Sequence, residues 1–277
     1  MQLKRTIHIG AAIYLFGMLI LTIGCEKVVS IDLNQADPHL VIEANVTDQP
    51  GPYSVLLSKT GNYFIDTLYF PPVSNALVVV TDDQGQGDTL REVIPGNYQS
   101  TTLQGIIGRN YQLKVVAEGK QYDAASSMPK KVGIDSIYSL IRREARDQPG
   151  YDIYVFFKDP PELGNYYRLN ARSSAIIPAD SIDGRRYRLY ADKLTNGNEM
   201  EERIRAGRNV KVGDTITVEL QSIDRATYDY FNTLRDVLSS DRAVSVLAPT
   251  NPNTNISNGS LGHFSAYTVD TRKIVIR

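Results

Sequence analysis

The sequence predicts a mainly β protein with two antiparallel β-sandwich-like domains, the first Ig-like or prealbumin-like, and one helix in the C-terminal half. Three observations favour this class. Runs of β-branched and aromatic residues alternate with polar residues from residue 40 onwards. Clusters of Gly, Pro, Asn and Asp separate these runs, as turns do. Only one segment has helical periodicity, and short strands without intervening helices are typical of antiparallel sandwiches.

The first predicted domain covers residues 39–128. Its strands are LVIEANVT (40–47), YSVLLSK (53–59), ALVVVTD (76–82) and YQLKVVAE (111–118). Turn sequences such as DQPGP, PPVSN and DDQGQGD separate them. A Pro and two lysines in MPKKVG (128–133) interrupt the pattern. The domain boundary is therefore expected at that point.

The second predicted domain covers residues 134–277 and is richer in aromatic residues. Its strands are the runs at 136–142, 152–158, 166–172, 185–191 and 215–223. A long polar loop over 248–269 is expected to lead into a last strand, RKIVIR, which closes the sheet.

One segment of this second domain predicts a helix near 224–238. Thr227, Phe231, Leu234 and Leu238 recur at helical spacing and fall on one face. Asp224 stands directly before them, where an aspartate caps the first turn by accepting a backbone N–H.

Residues 1–24 have the three parts of an export signal, namely a basic head, an apolar body and a small residue before Cys25. The apolar body (7–23) is short against the roughly 20 residues of a transmembrane helix, with a retained anchor as the alternative. Gly24-Cys25 resembles a bacterial lipobox, with Thr22 where Leu is usual; the alternative is a chance cysteine. We predict that Cys25 carries acyl chains that hold the protein at a membrane, followed by a polar tether (25–38).

Charge and cysteine content exclude two classes of protein. Without Lys4 and Arg5 of the signal, 28 basic residues face 31 acidic ones. Nucleic-acid binding needs a concentrated basic face, so no nucleic-acid partner is expected. A single cysteine forms neither an internal disulfide nor a Cys-rich zinc site.

Ordered blocks across the mature chain carry a resemblance to a known family. They include VIEANVTDQPGPYSVLLSKT, FKDPPELGNYYRL, GDTITVELQSID and NISNGSLGHFSA. In this order they resemble a family of Bacteroidota lipoproteins known as domain of unknown function number 4249. The resemblance implies a cysteine-anchored outer-membrane protein near a TonB-dependent receptor, and it transfers no catalytic residues. Only Glu26 is acidic directly after Cys25, which leaves open whether the protein faces the cell surface or the periplasm.

The histidines offer little for catalysis or metal binding. His39 and His263 are the histidines of the mature chain, and neither has a second His at metal-ligand spacing. His263 lies near Ser260 and Ser265, but the strand-turn-helix context of a nucleophile elbow is missing. We expect the glycines around His263 to shape the backbone instead.

Two acidic clusters admit a chemical and a structural interpretation. Asp82, Asp83 and Asp88 superficially suggest a calcium loop, but their spacing fails the EF-hand pattern, so a hairpin turn is favoured. Asp159 and Glu162 could form a glycosidase pair, although a turn explains them as well. No catalytic residue, metal site or cofactor is predicted.

Tyrosines are the strongest signal for binding. The chain has 17 Tyr, and ten of them lie beyond residue 135. Tyrosine suits recognition of a glycan, a peptide or a partner protein. The candidate binding residues are Tyr166, Tyr167, His263 and Phe264. The alternative is that tyrosines fill half-buried sheet faces.

Asp-Ser/Thr-apolar triplets recur five times along the chain. They resemble O-glycosylation sites of exported Bacteroidota proteins, and turn-to-strand chemistry also explains them. The hydroxyl residues concerned are Thr67, Thr89, Ser136, Ser181 and Thr215.

Three classes of function follow from the sequence. The first is a non-enzymatic, lipid-anchored envelope protein that binds a partner or ligand beside an outer-membrane transporter. The second is a structural or adhesive surface protein. The third is an envelope hydrolase.

Overall fold

The computed structural model describes residues 37–61, 70–142, 150–174, 187–192, 196–206, 210–240 and 251–277. The predicted signal, Cys25 and nearly all of the tether lie outside these residues. Pro38–Arg277 form one compact unit. Within the described ranges, no helix has both the length and the apolar character needed to cross a membrane.

Fourteen strands and one helix make up the described part of this unit. The first seven strands are β1 (Leu40–Thr47), β2 (Ser54–Lys59), β3 (Leu77–Asp82), β4 (Gly87–Ile94), β5 (Asn97–Gln99), β6 (Asn110–Ala117) and β7 (Lys120–Ser127). They are followed by β8 (Ile134–Arg142), β9 (Gly150–Lys158), β10 (Tyr166–Ser173), β11 (Tyr187–Ala191), β12 (Glu199–Arg205), β13 (Thr215–Ile223), the helix α1 (Arg225–Ser240) and β14 (Leu261–Val275).

The strands form one large sheet and one small sheet. Eleven strands pair in the order β11-β10-β13-β14-β1-β2-β5-β4-β3-β6-β7, and three pair in the order β12-β9-β8. The mainly β, sandwich-like class with one helix is thereby confirmed. One pairing differs from the antiparallel expectation, because β1 and β14 run parallel. Parallel strands need a long connection, and here most of the chain lies between them.

Each predicted strand run has a counterpart, while β4, β5, β7 and β12 were missed. These four strands carry many polar residues on exposed faces, which weakens the alternation that marks a strand. The predicted polar loop at 248–269 was too long, because β14 already begins at Leu261. The stretch from residue 262 to 269 is almost entirely buried, and small and polar side chains concealed that burial in the sequence.

Two hydrophobic clusters lie on either side of the predicted boundary at 128–133. The first gathers buried side chains of β1 to β7 with Phe264 and Ala266, and the second gathers those of β8 to β13 with Ile276. β14 serves both, since residues 261–267 pair with β1 and residues 268–275 pair with β13. The assignment of two domains stays a prediction.

The predicted helix is confirmed, and so is its cap. The Asp224 carboxylate accepts the backbone N–H of Thr227 at 2.8 Å, which satisfies one free donor of the first turn. Its other oxygen accepts the Ser126 hydroxyl at 2.7 Å and the Ser127 N–H at 3.0 Å. Asp224 therefore also joins the helix to β7. Leu238, predicted on the apolar face, stays exposed.

Gly262 allows β14 to approach β1 closely. Its φ is +93°, in the region that side-chain-bearing residues rarely adopt. A Cβ at this position would overlap the carbonyl oxygen of Ile42 on the neighbouring strand. The parallel pairing therefore requires glycine here.

We expect Gly262→Ala to lower the free energy of unfolding by about 3 kcal/mol or more, because backbone strain and overpacking add. The matched control is Gly85→Ala in the β3–β4 turn, with a φ of +79° and no atom within 4 Å of the new Cβ. At that position backbone strain alone should lower the free energy of unfolding by about 1 kcal/mol. Urea denaturation of both variants checks the difference, and equal losses would contradict the proposed close approach.

Candidate functional site

The four predicted binding residues do not form one site. Neighbouring residues of a strand point to opposite faces, so Tyr166 separates from Tyr167 and His263 from Phe264. Tyr167 and Phe264 are buried in the second and first hydrophobic clusters. Tyr166 and His263 lie on the face of the large sheet that contacts α1, where their rings pack against Tyr228 and Tyr230.

Tyr167 is a core residue of β10. Its ring packs edge-on against Phe157 at a centroid distance of 5.3 Å. Its hydroxyl donates a hydrogen bond to the Asp159 carboxylate. Burial, followed by the contact with Asp159, raises the pKa of Tyr167 well above its usual value. The side chain is therefore unavailable to a ligand.

His263 is enclosed between β14 and α1. Its Nε2 lies 3.0 Å from the Thr227 hydroxyl, and its ring stacks on Tyr230 at 4.6 Å with an interplanar angle of 13°. Nδ1 is buried and has no hydrogen-bond partner among the described residues. Burial lowers the pKa of His263 to about 4, the charge of Asp224 opposes this shift, and Arg168 adds to it. His263 is therefore neutral at pH 7.

The serines near His263 form no catalytic pair with it. The Ser260 hydroxyl donates a hydrogen bond to the Leu261 carbonyl at 3.3 Å. The hydrogen bond of the His263 ring within the described part of the chain goes to Thr227. This arrangement fits a packing histidine better than a general base.

Arg168 holds the helix onto the sheet from the β10 side. Its guanidinium lies 4.0 Å from the ring centre of Phe231, a cation–π contact, and its Nε donates to Gln221 at 2.6 Å. Tyr187 of β11 donates its hydroxyl to the backbone carbonyl of Phe231 at 2.9 Å. The aromatic and polar groups on this face thus secure α1.

Asp159 and Glu162 play separate roles. Asp159 is buried and accepts the Tyr167 hydroxyl and, at 3.1 Å, the backbone N–H of Gly197. Glu162 is exposed, and its backbone carbonyl accepts the Asn165 amide. A glycosidase needs two carboxyl groups that flank one substrate. The pair fits the predicted turn instead.

The acidic turn at 82–88 is the predicted hairpin between β3 and β4. Asp82 accepts the backbone N–H groups of Gln84 and Gln86, at 3.0 and 2.9 Å, and pairs with Arg109 at 3.1 Å. Asp88 accepts the N–H of Thr102 at 2.7 Å. No group of three or more His, Cys, Asp or Glu in the described ranges could hold a metal ion.

The structure reveals an aromatic surface that the sequence prediction missed. We call Tyr138, Tyr154 and Phe156 the aromatic row. Tyr138 of β8 stacks on Tyr154 of β9 at 5.0 Å and 14°, and on Phe156 at 5.6 Å and 24°. Tyr138 is 40% exposed. Alternation in DIYVFFK places Tyr154 and Phe156 on one face, but only the pairing register brings Tyr138 to them.

The aromatic row lies on the outer face of the three-stranded sheet, opposite the second hydrophobic cluster. Leu140, 52% exposed, continues it on β8. The neighbouring β12 carries acidic residues beside Phe156 and basic residues beside Tyr154, as the register shows. The stacked rings cover part of one another's faces. This surface offers apolar contact flanked by both charges.

The Asp-Ser/Thr-apolar triplets differ in exposure. Thr89 and Ser136 are exposed, and Thr215 is half-buried. Thr67 and Ser181 lie outside the described residues. Modification of any of them stays a prediction.

A comparison with protein families matches residues 26–273 to the model described as "Domain of unknown function (DUF4249)". The chain belongs to this family. The resemblance seen in the ordered sequence blocks is thereby confirmed. No curated protein matches the chain. The DUF4249 match begins one residue after Cys25 and includes the first hydrophobic cluster, the aromatic row and the second cluster up to residue 273. The Bacteroidota origin of this DUF4249 protein stays a prediction.

The buried histidine predicts a specific loss of stability in acid. An unfolded chain protonates His263 near pH 6.5, whereas the folded chain does so near pH 4. Between these values the unfolded state binds the extra proton, so the free energy of unfolding falls by about 3 kcal/mol as the pH drops from 7 to 4. His263→Gln should remove this part of the pH dependence in urea titrations. The exposed control His39→Gln should keep it, and equal slopes in all three proteins would contradict the assignment.

Proposed function

We propose that this protein is a lipid-anchored, non-enzymatic component of the cell envelope that binds a protein partner through the aromatic row. The observation that carries the proposal is the stack of exposed Tyr138 on half-buried Tyr154 and Phe156, beside a strand of mixed charge. The anchor is the lipid on Cys25, the location is the outer membrane, and the expected partner is a TonB-dependent receptor.

The sequence supports the membrane anchor. An apolar run of 17 residues ends at Gly24-Cys25, and the family match begins directly afterwards. Two or more acyl chains give stable attachment, whereas one chain binds a membrane only marginally. A folded body from residue 38 onwards would then extend from the membrane on a short tether.

The contacts of the candidate catalytic residues favour binding over hydrolysis. His263 is buried and neutral under α1, and Asp159 is engaged by Tyr167 and Gly197. Neither group is placed to receive a substrate. An envelope hydrolase is therefore the weakest of the three classes.

The geometry of the aromatic row favours a protein over a glycan as ligand. Sugar rings stack on open aromatic faces, whereas the face of Tyr138 is covered by Tyr154 and Phe156. Tyr, Phe and Arg side chains are enriched in protein interfaces. A structural or adhesive surface protein without a defined partner is the second candidate, supported by the many exposed polar strand faces.

Replacing the cysteine tests the anchor. Cys25→Ser removes the thiol that would carry the lipid, so the protein should move from the membrane fraction to the aqueous phase of a detergent partition. Mass spectrometry of the unchanged protein should show acyl chains on an N-terminal Cys25. Full retention of Cys25→Ser in the membrane would contradict lipid anchoring and favour an uncleaved anchor.

Truncating the aromatic row tests the binding surface. Tyr154→Ala/Phe156→Ala should reduce recovery of the partner from detergent-solubilised outer membranes at least about 10-fold, because buried interface aromatics are worth 2 kcal/mol or more. Phe70→Ala removes an exposed aromatic elsewhere and should leave recovery unchanged. Protease treatment of intact cells reports which membrane face displays the protein.

The same double variant distinguishes the competing ligands. If the double variant loses binding to a glycan array but still co-purifies with the same proteins, the ligand of the aromatic row is a glycan and not a protein. Unchanged recovery of a stoichiometric receptor would remove the aromatic row from the proposal.

A further inference from the structure

Among the residues that the structure describes, the strand β12 has an unpaired edge with regularly spaced backbone groups. It pairs with β9 on one side, and no described strand pairs with its other side. Ala206 N–H donates to Tyr151 O at 2.9 Å, and Asp159 N–H donates to Asn198 O at 3.0 Å. Hydrogen-bonded and non-hydrogen-bonded residue pairs alternate along two antiparallel strands. The even-numbered residues of β12 are therefore the ones whose backbone groups hydrogen-bond to β9. The odd-numbered residues therefore direct their N–H and C=O groups to the free edge.

The same odd-numbered residues carry the charges of the outer face. Along the strand these residues are Glu199, Glu201, Arg203 and Arg205. All four are exposed. Arg203 lies 3.9 Å from Asp152, and no ion pair is formed by the other three with a described residue. The strand thus has an acidic half and a basic half.

This pattern is complementary to itself. When two copies of β12 run antiparallel about Glu202, Glu199 faces Arg205 and Glu201 faces Arg203 of the other copy. Met200 then faces Ile204 on the opposite side of the sheet. Opposite charges directly across two strands stabilise a pair, and like charges destabilise it.

The backbone is compatible with the same register. Pairing about Glu202 joins odd-numbered residues to odd-numbered residues, whose N–H and C=O groups are the outward ones. A shift by two residues in one direction sets Glu201 against Glu201, and in the other sets Arg203 against Arg203. Only the register about Glu202 matches all four charges.

We propose that β12 pairs antiparallel with β12 of a second copy, so that the protein forms a two-fold symmetric dimer. Two three-stranded sheets then become one six-stranded sheet. This inference does not depend on the proposed function. It places two aromatic rows on one continuous face, which would make the binding surface bivalent.

Glu202 is the residue that meets its own copy at the two-fold axis. Its side chain points to the opposite face of the sheet from the four charges and lies near Tyr190 and Arg188. Burial raises its pKa, while Tyr190 and Arg188 oppose the shift. The guanidinium of Arg188 near this carboxyl offsets part of the repulsion between the two copies of Glu202.

Charge reversal on the full chain, purified in detergent, tests the dimer. Light scattering after gel filtration should give the mass of a dimer for the unchanged protein. Arg203→Glu/Arg205→Glu makes all four outer residues acidic and should give a monomer; Glu199→Arg/Glu201→Arg makes them basic and should do the same. Mixing these two variants should restore a dimer, because each acidic residue then faces a basic one. The four-fold swap should form a dimer by itself.

Lys114→Glu/Lys120→Glu is the matched control. It reverses two exposed lysines on β6 and β7, with the same change in net charge as Arg203→Glu/Arg205→Glu, and should leave the dimer intact. A monomeric unchanged protein would overturn the proposal. So would reversed variants that stay dimeric, or a mixture of the two that stays monomeric.

Disulfide trapping reports the register. Glu202→Cys places two thiols opposite each other in a non-hydrogen-bonded pair, where side chains approach closely. Mild oxidation should give a covalent dimer, and the unchanged chain, whose one cysteine is the predicted lipidation site Cys25, is the control. Met200→Cys alone should not cross-link, whereas its mixture with Ile204→Cys should. Efficient cross-linking of Met200→Cys to itself would overturn this register.

Discussion

The pairing of β14 with both β1 and β13 is the interaction on which the rest of the structure depends. The last strand packs on the first hydrophobic cluster through Phe264 and Ala266 and reaches the second through Ile274. It changes its partner strand between Tyr267 and Thr268. Its approach to β1 requires the absent side chain of Gly262. Backbone hydrogen bonds therefore tie the start of the folded body to its end.

This pairing also decides which side chains are available for chemistry. Within β14, alternation sends Phe264 into a hydrophobic cluster and His263 towards α1. The helix is fastened by the Asp224 cap at one end and by contacts of Arg168 and Tyr187 with Phe231 in its middle. A histidine predicted to lie in a polar loop and to be a candidate binding residue is instead a buried packing residue. Polar groups on this face stabilise the fold rather than face a substrate.

The three-stranded sheet differs from this helix-covered face because its outer side is not covered by a described element. Its inner side packs into the second cluster, whereas its outer side keeps three aromatic rings and four charges at the surface. The rings and the charged edge strand differ in what they can recognise. The rings offer apolar contact area to a different protein. The edge strand offers backbone hydrogen-bonding groups to the same strand of a second copy. A lipid on Cys25 would present both from a membrane.

The sequence by itself determined most of the strand runs, the helix with its Asp224 cap, the β3–β4 hairpin and the family, because period-two patterns, capping and turn residues act locally. Only the tertiary structure decided the parallel neighbour of β14, the separation of Tyr166 from Tyr167 and of His263 from Phe264, and the stacking of Tyr138 on Tyr154. These outcomes depend on register between strands distant in the chain. A shift of one residue would turn every side chain to the other face, and no local pattern records that choice.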